Sequence, residues 1–167
     1  MVVLATGARY ISPFEGPFLT PYEVMMGEAK GRRRAIVVGG EGVGIAIALF
    51  LIRQGVEVTL LERGKRLGRD VNPFYLWRYL QLLKGRARTL TSATPLRFEG
   101  GQLIVTTPEG EETLEADLLI TALRGDRGEE LSKWQEAVEE VIIIGDARRP
   151  RRLHNAIHEA YRKAREI

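Results

Sequence analysis

Apolar and polar positions along the chain alternate between short buried-type runs and glycine-marked turns. Ala35-Ile36-Val37-Val38 is a continuous apolar run, the pattern of a strand covered on both faces of a parallel sheet. Gly39-Gly40-Glu41-Gly42-Val43-Gly44 follows as a tight turn, and Ile45 to Gln54 predicts a very apolar helix closed by Gly55. Val56 to Leu61 predicts a second strand, with Glu62 at its end.

Around this unit the pattern predicts further elements. Val2 to Leu4 is a short strand ending in Ala5-Thr6-Gly7. The proline- and glycine-rich stretch from Ser12 to Pro17 reads as an irregular connector. Thr20-Pro21-Tyr22-Glu23 has the capping residue, the proline and the glutamate of a helix start, running to about Met26 before Gly27. Asn72 to Lys84 predicts an amphipathic helix whose Tyr75, Trp77 and Tyr79 are expected in core and edge packing. Ala87 to Thr91 predicts a strand. Leu96 to Phe98, Leu103 to Thr107 and Thr113 to Leu114, separated by tight turns, predict a β-meander. Asp117 to Ala122 and Val141 to Ile144 predict two more buried strands, with a short helix over 129–138 between them and a terminal helix from Leu153.

Composition narrows the classes. The 167 residues suit about one ordinary domain, and 44% hydrophobic with 28% charged residues is the balance of a soluble globular chain. No apolar run nears the roughly 20 residues that span a bilayer, and the N-terminus lacks a signal-peptide pattern, so a cytoplasmic protein without a membrane partner is expected. With no cysteine, disulfides, thiolate metal sites and cysteine nucleophiles are excluded. The net charge of +3 gathers at Arg32-Arg33-Arg34 and Arg148-Arg149-Pro150-Arg151-Arg152. Acidic residues are interspersed and no nucleic-acid motif accompanies these clusters, so no nucleic-acid partner is expected. His154 and His158 have helical i,i+4 spacing, but no third ligand stands beside them, so no metal site is expected.

Strand, glycine turn, helix, strand and acid form the order of a dinucleotide-binding unit. A helix N-terminus presents unpaired N–H groups and partial positive charge, which suits a diphosphate. The spacing G-x-G-x-x-G places glycine at Gly39 and Gly44, while its middle position is Glu41. A carboxylate there would crowd and repel a diphosphate; Gly42 in close approach is the alternative register. Glu62 reads either as a ribose ligand, with Arg63 beside it tolerating a 2′-phosphate, or as a surface glutamate paired with a nearby arginine.

The order Ala5-Thr6-Gly7, glycine turn, Leu61-Glu62-Arg63-Gly64 and Ile144-Gly145-Asp146-Ala147 resembles the flavoprotein oxidoreductase superfamily with two dinucleotide-binding domains. The ending from Gly145 through Asn155-Ala156-Ile157-His158-Glu159 is most similar to the C-terminal part of the NADH:flavin oxidoreductases related to 2,4-dienoyl-CoA reductase and trimethylamine dehydrogenase.

The resemblance implies an α/β, Rossmann-like, mostly parallel sheet with helices on both faces and a β-meander crossover. It implies an NAD(P)H-binding-like domain over 32–122, with 1–31 and 123–167 as flanking segments resembling remnants of an FAD-binding domain. Gly39, Gly40, Glu41, Gly42, Val43 and Gly44, with Glu62 and Arg63, would hold NAD(H). Gly145 and Asp146 would face a flavin, or Asp146 would cap a loop. FAD would be held only with a partner chain, because the first half of the flavin domain does not appear. Ala46 stands where many relatives carry glutamate, and Arg124 where the Ala-Leu-Gly segment usually closes with glycine. Two readings follow: a subunit of an FAD/NAD(P)H-dependent oxidoreductase passing hydride to a flavin held with a partner, or a non-catalytic nucleotide-binding or assembly subunit with a degenerate site. The apolar outer strands call for a flavin-domain partner or a homo-oligomer to complete their sheet.

Overall fold

The computed structural model describes residues 1–14, 16–126 and 131–166. In chain order the elements are β1 (Val2–Leu4), β2 (Arg9–Tyr10), α1 (Pro21–Met26), β3 (Arg34–Val38), α2 (Gly42–Arg53), β4 (Glu57–Glu62), α3 (Pro73–Leu83) and β5 (Ala87–Thr91). Then come β6 (Thr94–Glu99), β7 (Gln102–Thr107), β8 (Gly110–Glu115), β9 (Leu118–Thr121), β10 (Arg124–Asp126), α4 (Leu131–Ala137), β11 (Val141–Ile143) and α5 (Leu153–Ala164). The first residues of the helix expected over 129–138 lie outside the described residues. The chain divides into a central unit, Ser12–Leu123, and an outer unit made of Met1–Ile11 and Arg124–Ile167.

The central unit is built on a four-stranded parallel sheet in the order β5-β4-β3-β9. Val37 lies opposite Leu60 on one side and Ile120 on the other. Side chains alternate across the sheet, so consecutive apolar residues feed two cores. Ala35, Val37, Val58, Leu60, Leu118 and Ile120 pack with residues of α1, α2 and α3. Ile36, Val38, Leu61 and Leu119 pack instead with Leu103, Val105 and Leu114 of the antiparallel meander β6-β7-β8. This corrects the expectation of helices on both faces of the sheet: here helices cover one face and the meander covers the other. The physical reason is that β7 alternates cleanly, with Leu103 and Val105 inward, and so supplies an apolar face of its own.

Residues 12–31, grouped with the flanks in the sequence reading, belong to this unit. Leu19 bridges Ile120 as an extra parallel step, and Val24 of α1 is buried. The helix start at Thr20 forms as a capping box: Thr20 Oγ1 accepts from the Glu23 amide at 3.3 Å and Glu23 Oε2 accepts from the Thr20 amide at 2.7 Å. The aromatic residues of α3 are a correction. Trp77 is 64% exposed and Tyr75 59% exposed, because the helix packs Leu83, which is buried, and Leu76, which is partly buried, on the core and turns its aromatics outward.

The outer unit holds two small sheets. β1 and β11 pair in parallel, Val3 opposite Ile142. β2 and β10, which the sequence pattern did not predict, pair antiparallel over two positions with an irregularity between them. Few apolar side chains are buried here, Leu4 and Ala147 among them. On α5 an i,i+4,i+8 stripe of Leu153, Ile157 and Tyr161 stands exposed. Among the described residues no helix is long and apolar enough to cross a membrane.

Candidate functional site

The glycine turn joins the C-terminal end of β3 to the start of α2. Gly39 has φ of +107°, which favours glycine. A Cβ on Gly44 would lie 1.7 Å from the Gly39 carbonyl oxygen, so the helix crosses the strand at a distance only glycine permits. Glu41 is the residue before the first turn of α2, and Gly42 is that helix's first residue. The Glu41 side chain is half-exposed and meets Arg69, with Nη2 3.6 Å from Oε1.

Glu62 is 5% exposed at the end of β4. Its Oε2 accepts from the Gly40 amide at 2.8 Å and its Oε1 from the Gly64 amide at 2.6 Å. It is therefore a buried glutamate and not a surface one; two amides hold the carboxylate, and Arg69 Nη2 stands 3.9 Å from Oε1. Arg63 beside it is exposed.

The loop between β4 and α3 folds back over the turn. The Gly68 amide donates to the Gly40 carbonyl at 2.7 Å, and Asp70 Oδ1 accepts from the Gly42 amide at 2.8 Å. A Cβ on Gly40 would lie 2.4 Å from Leu67 Cδ2. Three carboxylates, Glu41, Glu62 and Asp70, thus surround the turn. The frame of the turn fits a dinucleotide, but the amides of Gly40 in the turn and of Gly42 at the helix start are already bonded to carboxylates. Sequence reasoning missed Asp70. It sits in a polar loop before Asn72-Pro73, where an acid ordinarily reads as local capping.

The outer unit has its own constellation. Ala5, Gly7, Arg124, Asp146 and Ile157 are among the residues lining a cleft of about 530 Å3. Asp146 Oδ2 accepts from Arg124 Nη1 at 2.8 Å and Oδ1 from the Arg151 amide at 2.9 Å, so it caps the loop that follows it. Arg124 also donates to the Arg151 carbonyl at 3.0 Å. Glu159, on α5 and 5% exposed, accepts from the Gly145 amide at 3.0 Å and pairs with Arg148 and Arg151. Burial pushes its carboxyl up, but the Arg148 and Gly145 hydrogen bonds and the nearby Arg151 charge outweigh this and hold it below the ordinary glutamate range. Sequence reasoning missed Glu159 too: a lone acid in a polar helix that follows an arginine-rich loop has no periodic signal of burial. His154 and His158 both lie exposed on α5.

The family model for pyridine nucleotide-disulphide oxidoreductases matches residues 1–160. The chain belongs to that family, and it carries the NAD(P)- and FAD-binding fold of its members. A metal reductase of Desulforamulus reducens is 31% identical over 98% of this chain. Among solved structures, 2-naphthoyl-CoA reductase is 29% identical over 99% of the chain with a TM-score of 0.84. Histamine dehydrogenase from Rhizobium sp. 4-9 shares the fold over 99% of the chain, at 18% identity and a TM-score of 0.81. The chain spans 30% of the metal reductase, 26% of the naphthoyl-CoA reductase and 29% of the histamine dehydrogenase.

Proposed function

We propose that this chain is the pyridine-nucleotide part of an NAD(P)H-dependent flavin oxidoreductase and that it acts with a partner chain holding most of the flavin. The observation that carries this reading is the contrast within one chain between a fully built glycine-turn unit and a second parallel sheet that, among the described residues, has two strands, β1 and β11. Parallel sheets occur almost only where further strands and helices cover them. On this reading the Gly39–Gly44 turn and Glu62 hold the dinucleotide, with 32–122 as the binding domain and Arg63 beside the ribose. Gly145 and Asp146 face the flavin. Coenzyme held at the turn would supply hydride, and the turn and Glu62 would orient it.

The test uses the protein purified from its own cells with whatever chain accompanies it. A co-purifying chain, retained FAD and bleaching of the flavin's visible band by anaerobic NADH are the expected results. A flavin-free homodimer or monomer that never retains added FAD would sink the catalytic reading. It would favour the second one, a non-catalytic nucleotide-binding or assembly subunit, which the carboxylate-bonded amides of Gly40 and Gly42 support.

A further inference from the structure

We propose that Asp70 is an internal competitor for the diphosphate, so that a dinucleotide enters the glycine turn only when the loop over residues 67–71 is displaced. The proposal rests on the nucleotide-binding reading of that turn and concerns its regulation.

Asp70 Oδ1 accepts from the amide of Gly42, the first residue of the twelve-residue helix α2. An entering phosphate oxygen would need that same donor. The carboxylate arrives as part of a loop fastened at further points. Gly68 donates to the Gly40 carbonyl, and Leu67 lies over Gly40. Gly68 itself is buried against Leu76, whose Cδ1 would be 2.3 Å from a Cβ placed there. A Cβ on Gly42 would meet Asp70 Oδ2 and Val71 Cγ2, both at 3.2 Å, so the loop rests on the face of the turn that a diphosphate would approach.

Glu41, the residue before α2, and Glu62, at the end of β4, both stand beside Arg69, which is adjacent to Asp70 in the chain. Displacing the loop would withdraw Asp70 and leave the amide of Gly42 for the ligand. Any partner or ligand that holds the loop open would raise the affinity for coenzyme, because the competent state then need not be drawn from a minor population.

The experiment titrates the full chain with NADH by calorimetry, comparing the native protein with Asp70→Ala and Asp70→Asn. Asparagine keeps an acceptor for the Gly42 amide and removes the charge, so it guards against loss of the fold. Both variants are expected to bind NADH about tenfold or more tightly than the native chain, since a charge-assisted hydrogen bond no longer competes. Hydrogen exchange gives a second readout: NADH should speed exchange across residues 67–71 of the native chain. Unchanged or weaker affinity in both folded variants, or protection of the loop by NADH, overturns the proposal. Failure of every form to bind NADH overturns it together with the nucleotide-binding reading. Tightening in the variants without any flavin reduction by the purified complex would sink the catalytic reading alone.

Discussion

The two units of the chain are stabilised by different physics. In the central unit, β3, β4 and β9 place alternate apolar residues into two cores, and Val37, Leu60 and Ile120 are fully buried. In the outer unit, the described core is small, and a buried carboxylate with two arginines organises the segment around Gly145. Apolar burial is non-directional and cooperative, so the central unit has what an independent fold needs. The outer unit instead exposes apolar groups, with Leu153 77% exposed, and closes its loops with charge.

The largest break in this comparison should come from Gly44→Ala. The added methyl would meet the Gly39 carbonyl oxygen at 1.7 Å, a backbone atom that moves only if the helix leaves the strand. A loss of about 3 kcal/mol is expected. Hydrogen exchange should show the loss across β3, α2 and β4, and a central unit of native stability in this variant would refute the crossing described here. A smaller break should come from Glu159→Gln. The amide cannot serve two guanidinium groups as the carboxylate does, and a loss of about 2 kcal/mol is expected. Faster exchange should be confined to residues 141–164, and equal loosening of β3 and β4 would show that the outer network supports the central unit as well.

The unequal legibility of the two units in the sequence follows from the same contrast. The run from Ala35 to Glu62 could be read because strand burial, turn and helix are written in neighbouring residues, each under a local constraint. The capping box at Thr20 and the meander were readable for the same reason. The β2–β10 pair was not, since two residues carry no periodicity. Asp70 and Glu159 were not readable either. Their roles come from contacts 28 and 14 positions away in the chain, formed only when tertiary structure brings a carboxylate to an amide. Exposure of Tyr75 and Trp77 was missed because aromatic content suggested burial, while Leu76 and Leu83 carry the face of α3 that packs on the core.

The finest discrimination between the units is expected from acid. Glu159 titrates below its ordinary value of 4.5 in the folded protein. A carboxyl with a depressed folded pKa contributes stability that is fully present above the unfolded value and is lost as pH falls through the folded one. The central unit also has depressed carboxyls. Asp117 is lowered by hydrogen bonds from the Arg34 and Arg33 amides, and Glu23 by those from the Thr20 amide and hydroxyl. Both are solvent-facing, so their contributions are screened and small beside two apolar cores. Lowering the pH below about 4.5 should therefore loosen residues 141–164 first, while exchange protection of β3, β4 and β9 persists to lower pH. The Glu159→Gln variant removes the titrating group, so its outer unit should lose most of this acid sensitivity. If that variant and the native chain loosen in parallel as the pH falls, Glu159 is not the group that responds, and the outer unit's acid response lies elsewhere in its arginine–carboxylate network.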